Sequence, residues 1–380
     1  MMTTLSELTT RRMLSLTKAA LQETAPDANL FVDAGETGWT ELFELLVAQG
    51  VMVLSLYGAM RLPKELQPPR KLKLRWVASV EAVEKQYRHC LETAEKLAAC
   101  FKENNIRMLL FKGIALARLY PVPNSREFGD IDIFLCGKAE EGNALLADIA
   151  NKKSQTSRKH ANFVYRGIMI ENHHTFLNQR YYNRFHRSDV LEKRLRLLLA
   201  EAGITTEANP AASRSQDETL LFPPPDFDAL FVTLHMLAHL PTKNVLRHLC
   251  DLTVLFTAYQ GKINFSLYRD ALSEAGLLKL AEVFISLSIK HLGLNPEYAP
   301  PYESDLLLED RLWNNLLHPE APPPPKAKRK LFSVFIYKIR SLRARYWKSE
   351  LVFPGQFGKK IFHSLFYHLC HPGKIKKLLS

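Results

Sequence analysis

LLFKGIALARLYPVPNSREFGDIDIFL, Leu109 to Leu135, is the stretch from which the fold is read. The apolar run Met108–Phe111 predicts a buried strand, and Lys112-Gly113 ends it. Ile114–Tyr120 predicts one or two helical turns, stopped by Pro121 and Pro123. A polar loop, Asn124-Ser125-Arg126-Glu127, leads into Gly129-Asp130-Ile131-Asp132-Ile133-Phe134-Leu135. In a strand alternate side chains share a face, so Asp130 and Asp132 project together while Ile131 and Ile133 enter the core. Two neighbouring carboxylates repel, and a divalent cation offsets that repulsion well. Mg²⁺ takes one or two protein carboxylates and leaves positions for water and substrate phosphate. The plainer alternative is a solvated strand end with two surface acids. Asp-x-Asp alone is common, and its weight here comes from the Lys-Gly turn upstream.

That combination resembles the nucleotidyltransferases of the DNA polymerase β superfamily. More closely, it resembles a bacterial family of uncharacterised nucleotidyltransferases, related to abortive-infection nucleotidyltransferase toxins. The resemblance extends loosely over about Trp39 to Leu294 and includes the pattern LH…AH…LRHLCDL in the later helices. It implies an α+β protein: an α/β catalytic core on a polymerase-β-like mixed sheet, flanked by N- and C-terminal helical blocks. It implies that Asp130, Asp132 and a third carboxylate on a later strand hold Mg²⁺ or Mn²⁺. It further implies nucleotide binding by Lys112, Gly113, Arg126 and Gly129. Two residues depart from the pattern: Ile114 replaces the usual small residue after the glycine, and the third acid is Glu171 where Asp is commoner.

Outward from this stretch, residues 1–105 predict a helical cap. Lys73–Glu103 carries apolar residues at steps of three, four and seven, the mark of an amphipathic helix. Residues 106–200 predict the catalytic core. Lys138–Ala150 reads as a helix, Asn151–Lys159 as a polar loop, and Phe163–Glu171 as a single strand. Glu171 falls at that strand's end, where a metal-facing acid belongs; the alternative is an acid bonded to a neighbouring loop. His173 either orients Glu171, contacts phosphate, or is a satisfied structural histidine. Arg126 is a second phosphate clamp or a partner of Asp130. Lys112 neutralises the acids or binds triphosphate, with a Glu127 ion pair or solvent as alternatives.

Phe222-Pro223-Pro224-Pro225 opens a helical block over residues 216–318. His235 and His239 stand at i, i+4 there, but no H-E-x-x-H surrounds them and their flanks are apolar. They read as core or cleft-wall histidines more readily than as zinc ligands, and the resemblance implies a site wall that they share with His173 and Asp251. The run APPPP, Ala321–Pro325, predicts a stiff linker.

The net charge of +12 is unevenly spread. Residues 326–380 hold 14 Lys or Arg against Glu350, a net +13, so the rest of the chain sums to −1. This tail is amphipathic. It packs on the body first of all, with contact to an anionic membrane or to RNA as further readings. Five scattered cysteines without metal spacing, and an opening segment lacking a signal core, point to the cytoplasm, with a peripheral place at the inner membrane open to the tail. The longest uncharged run, Leu45–Met60, is short for a membrane span and predicts a buried helix pair. No Walker A sequence occurs, which argues against a P-loop kinase.

The function expected is metal-dependent transfer of a nucleoside monophosphate from an NTP to a hydroxyl acceptor, whether RNA, protein or small molecule. Two alternatives stand beside it. One is a scaffold that binds without turnover. The other is a metal-dependent phosphohydrolase using His235, His239 and Asp251.

Overall fold

The structure, a computed structural model, describes residues 7–150, 152–156, 160–177, 187–204, 220–242, 244–319, 331–355 and 357–358. Four helices come first: α1 (Glu7–Gln22), α2 (Gly35–Ala48), α3 (Met52–Ala59) and α4 (Arg70–Glu103). The uncharged run becomes the end of α2 and the whole of α3, and almost every residue of α3 is buried. β1 (Leu109–Phe111) follows, then α5 (Gly113–Ala117), β2 (Asp130–Phe134) and α6 (Ala139–Ile149). Three strands complete the sheet: β3 (Lys152–Thr156), β4 (His160–Tyr165) and β5 (Ile168–His173). After α7 (Arg187–Glu201) the later helices are α8 (Pro225–His239), α9 (Leu246–Ala258), α10 (Phe265–Glu274), α11 (Leu278–Leu287), α12 (Leu306–Leu317) and α13 (Leu331–Val352).

The sheet runs β1-β2-β5-β4-β3. Its central pair, β2 and β5, is parallel, and the other neighbours are antiparallel. One face carries Leu110, Ile131, Ile133, Phe163 and Ile170, packed with Cys90, Ala94, Leu97 and Phe101 of α4 and Leu146 of α6. The opposite face buries Phe111 and Phe134 against Phe176, Phe227 and Phe231, with ring centroids 4.6–5.6 Å apart in successive pairs. α4 joins the two cores. Leu72, Trp76 and Val80 lie in the helical core, whereas Cys90 to Phe101 lie under the sheet. At 34 residues it is roughly 50 Å long, enough to reach both.

Two expectations for this region are corrected. Phe163–Glu171 is not one strand but a hairpin. Arg166 and Gly167 both take positive φ, 53° and 79°, and form the two-residue turn between β4 and β5. Within Asn151–Lys159, a polar loop by sequence, Lys152–Thr156 forms the outermost strand. A polar, lysine-bearing sequence suits a sheet edge, where it discourages pairing with other chains.

The described part of the basic tail packs on the body. Lys348 Nζ donates to Asn315 Oδ1 at 2.8 Å, the Arg311 guanidinium lies 4.0 Å over the Trp347 ring, and Val352 and Phe353 are buried in the helical core. Arg340 and Arg343 remain exposed. Residues 359–380, the second amphipathic stretch of the tail, lie outside the described residues. No described helix is long and apolar enough to cross a membrane.

Candidate active site

Strand register builds the site. Asp132 is paired with Phe111 on one side and Glu171 on the other. Because β2 and β5 are parallel and in register, the two carboxylates lie side by side on one face. His173, two residues beyond Glu171, shares that face, and His160 of β4 pairs opposite His173. Asp130 also shares it, one step nearer the start of β2.

Lys112 completes the cluster through an unusual backbone. Its φ of 58° and ψ of −123° belong to a region that glycine enters freely and other residues rarely do. Holding a lysine there costs on the order of 1–3 kcal/mol. The conformation turns the chain sharply from β1 into α5 and brings the side chain over the sheet end. Nζ donates to Asp132 Oδ1 at 2.5 Å and lies 3.4 Å from His173 Nε2. Glu127 is not its partner; that carboxylate accepts from the Val53 backbone N–H.

His173 is fully buried. Its Nε2 is 2.8 Å from Asp132 Oδ1 and 3.4 Å from Glu171 Oε2. Its Nδ1 faces the Thr175 carbonyl at 3.4 Å. Behind it, Glu192 of α7 accepts from the backbone N–H groups of Phe176 and Leu177 at 3.0 and 3.1 Å, fixing the chain where it leaves β5.

The three acids are not alike electrostatically. Burial alone would raise Asp132, but Lys112 and His173 outweigh it and hold the carboxyl far below the usual range. The hydrogen bond from His173 keeps Glu171 low against burial and the Asp132 charge. Asp130 is shifted up by burial and then by the charges of Asp132 and Glu171, with Lys112 offsetting only part. The repulsion between neighbouring carboxylates therefore weighs on Asp130, while Asp132 is stabilised in its charged form.

Among the described residues, Asp132, Glu171 and His173 form the group whose ligand atoms all lie within 4.8 Å of one another. Two carboxylates and an imidazole are a chemically suitable donor set for a divalent ion. Asp130 stands beside this group, near enough to feel both charges, but is not part of it. His235, His239 and Asp251 form no such group among the described residues.

The remaining residues singled out from the sequence are placed as follows. A Cβ on Gly113 would meet the Phe128 ring at 3.2 Å and the Asp130 carbonyl oxygen at 3.4 Å, so its hydrogen is needed for the loop to close on β2. A Cβ on Gly129 would meet nothing within 4 Å. Arg126 pairs with neither Asp130 nor solvent. It is buried and bidentate with Asp251 of α9, Nε to Oδ1 at 2.6 Å and Nη2 to Oδ2 at 3.0 Å, while Nη1 points at the Gly113 carbonyl at 3.4 Å. The Tyr120 hydroxyl donates to the same Asp251 oxygen at 2.7 Å. Arg247 adds a bond from Nη1 to the Glu127 carbonyl at 2.9 Å. The helical block thus grips the loop that precedes the Asp-x-Asp strand. His235 and His239 pack edge-on at 4.6 Å between centroids; His239 stacks near His248, and His235 near Phe231. Phe231 contacts Phe111, which contacts His173 at 4.9 Å, so the histidines adjoin the apolar floor of the site.

A mixed sheet that gathers two carboxylates, an imidazole and a lysine, clasped by a helical block, defines an α+β protein with a donor set that could hold a metal ion. The family model described as uncharacterised nucleotidyltransferase matches residues 35–293. The chain belongs to that family, and its α+β architecture is consistent with a nucleotidyltransferase core. No curated protein and no solved structure matches the chain. Residues 326–380 lie beyond the family match.

Proposed function

We propose that the protein is a metal-dependent nucleotidyltransferase that moves a nucleoside monophosphate from an NTP to a hydroxyl group. The observation that carries this reading is the convergence of Asp132, Glu171 and His173 beside Lys112, in a chain of a nucleotidyltransferase family. Asp132 and Glu171, with Asp130 beside them, would hold Mg²⁺ or Mn²⁺. The bound cation supplies positive charge to the α-phosphate and to the departing pyrophosphate.

The chain's own groups divide the remaining work. Lys112 releases its hold on Asp132 to meet a β- or γ-phosphate oxygen as a point charge. Gly129, with open space at its Cα, lets the substrate approach the backbone. Gly113 keeps the turn close against Phe128 and β2. Arg126 acts one layer down, fixing the loop through Asp251. A polymerase-β-like descent, and kinship with abortive-infection toxins, accord with the Lys-Gly turn and the Asp-x-Asp strand.

A second reading, a scaffold that binds without turnover, is favoured by the Lys112–Asp132 contact, in which the lysine offsets one carboxylate charge of the cluster. The discriminating experiment is incubation of the full chain with each NTP labelled at the α-phosphate, Mg²⁺ or Mn²⁺, and RNA, protein or small-molecule acceptors. Transfer of label supports the enzyme. Tight NTP binding with no transfer to any pool supports the scaffold.

The exposed Arg340 and Arg343 of α13 support a contact with an anionic partner, RNA or membrane. A chain ending at residue 325 would lose RNA labelling, or co-sedimentation with anionic vesicles, if the tail makes either contact. The thiols of Cys90, Cys100, Cys136 and Cys250, which form no disulfide, accord with a cytoplasmic site of action.

A further inference from the structure

We propose that His173 is a nitrogen ligand of the metal centre, and that the centre therefore selects a first-row transition ion such as Mn²⁺ over Mg²⁺. This rests on the metal-dependent reading above and specifies the ion's chemical class. The argument begins with direction. His173 Nδ1 lies 3.4 Å from the Thr175 carbonyl, which can only accept. The other nitrogen, Nε2, is thereby aimed into the cluster, as in metal sites where a backbone carbonyl sets the orientation of the ligating histidine. It lies 2.8 Å from Asp132 Oδ1 and 3.4 Å from Glu171 Oε2. Ligand atoms bound at about 2.0–2.2 Å to one ion stand roughly 3–4 Å apart; the spacing to Glu171 falls in that range, and the contact to Asp132, a hydrogen bond from Nε2 in the metal-free protein, would widen as the ion replaces the proton.

The ring is also held still. It is fully buried, packs edge-on against Phe111 at 4.9 Å, and leads into a backbone tied by Glu192. A second imidazole, His160, stands at the outer edge, its ring 5.1 Å from His173 and its Nε2 4.0 Å from Glu171 Oε2. Mg²⁺ prefers an all-oxygen shell and keeps its waters, whereas a nitrogen donor raises the affinity of first-row transition ions, least for Mn²⁺ and more for the later members, so Mn²⁺ against Mg²⁺ is the strictest form of the comparison. A site with a fixed nitrogen donor at its floor discriminates on that difference.

The test titrates the full chain, without nucleotide, with Mn²⁺ followed by paramagnetic resonance of the free ion, and with Mg²⁺ as competitor. The expected result is Mn²⁺ binding tighter than Mg²⁺. In His173→Gln, Mn²⁺ affinity falls by no less than the roughly 10–100-fold that loss of an outer-shell partner costs, and Mg²⁺ affinity much less. Electron spin-echo modulation of Mn²⁺ on the unaltered protein should reveal a coordinated ¹⁴N, which keeps the proposal testable even if the variant misfolds. Equal affinities for the two ions, or bound Mn²⁺ without nitrogen modulation, overturns the inference. If Mg²⁺ is preferred and α-label transfer persists, the inference alone falls. If neither ion binds, with or without NTP, the metal-dependent reading falls with it.

Discussion

Asp251→Ala removes one partner of a buried ion pair and leaves the other in place. Arg126 would keep only its long contact to the Gly113 carbonyl, and the Tyr120 hydroxyl would lose its acceptor. Both side chains of the pair are buried, 8% and 6% exposed. Leaving a buried charge uncompensated costs about 3–5 kcal/mol, and the lost tyrosine bond accounts for about 1 kcal/mol of that. Replacing both charges, as Arg126→Met with Asp251→Leu, should recover more than half of the loss, because an apolar pair leaves no charge stranded. Urea unfolding followed by circular dichroism measures both. The acid limb adds a second signature. Against burial, Arg126 holds the Asp251 carboxyl below its ordinary value. A depressed folded value stabilises the protein above the unfolded value of about 3.9, and the benefit disappears as pH falls through the folded one. The single variant should lack that part of the acid transition. A loss under about 0.5 kcal/mol in Asp251→Ala would refute the clasp, since surface substitutions alone produce changes of that size.

Four further outcomes follow from the same geometry. Asp228 is buried with its carboxyl pushed up to about 7 by burial, against the opposing effects of Tyr259 and Arg118, so stability should fall as pH rises from about 4 to about 7. Asp228→Asn should flatten that slope in thermal melts, and an unchanged slope would contradict it. Without metal, Asp130→Asn should match or exceed the parent in thermal stability, whereas Asp132→Asn, which strands Lys112 and His173, should melt lower; the reverse order would contradict the charge assignment. Lys112→Ala should weaken NTP binding by calorimetry more than it slows turnover, and unaltered affinity would remove Lys112 from the phosphate site. Gly113→Ala should destabilise by about 1–3 kcal/mol in urea, because its Cβ would press on the Phe128 ring; a neutral result would mean the loop yields freely.

Local patterns carried much of this protein in plain view, and distant contacts did not. The alternation in Asp130-Ile131-Asp132-Ile133 was enough to place two acids on one face and two isoleucines in the core, and the helical spacing over Lys73–Glu103 marked α4. Glu171 was reachable from its position near the end of a β-rich run, although that run divides between two strands and Glu171 stands within the second. Arg166-Gly167 is a weak hairpin signal, because only its glycine takes positive φ readily while the arginine is held there by the fold. β3 gave little warning, since KKSQT has neither alternation nor apolar bulk, and its pairing comes from β4. The pairing of Arg126 with Asp251 joins residues 125 apart, and no local pattern announces such a contact. Lys112 was visible as a turn residue, but its positive φ was not, because a lysine there runs against backbone preference and is held by the surrounding fold.

The most direct test of nucleotidyl transfer is a paired labelling experiment on the full chain with Mn²⁺ or Mg²⁺. One arm uses NTP labelled at the α-phosphate and the other uses NTP labelled at the γ-phosphate. The account predicts α-label on an acceptor, γ-label in released pyrophosphate, and loss of both in Asp132→Asn while that variant stays folded. Release of γ-label as phosphate with no α-label on any acceptor, or full transfer by Asp132→Asn, would contradict it.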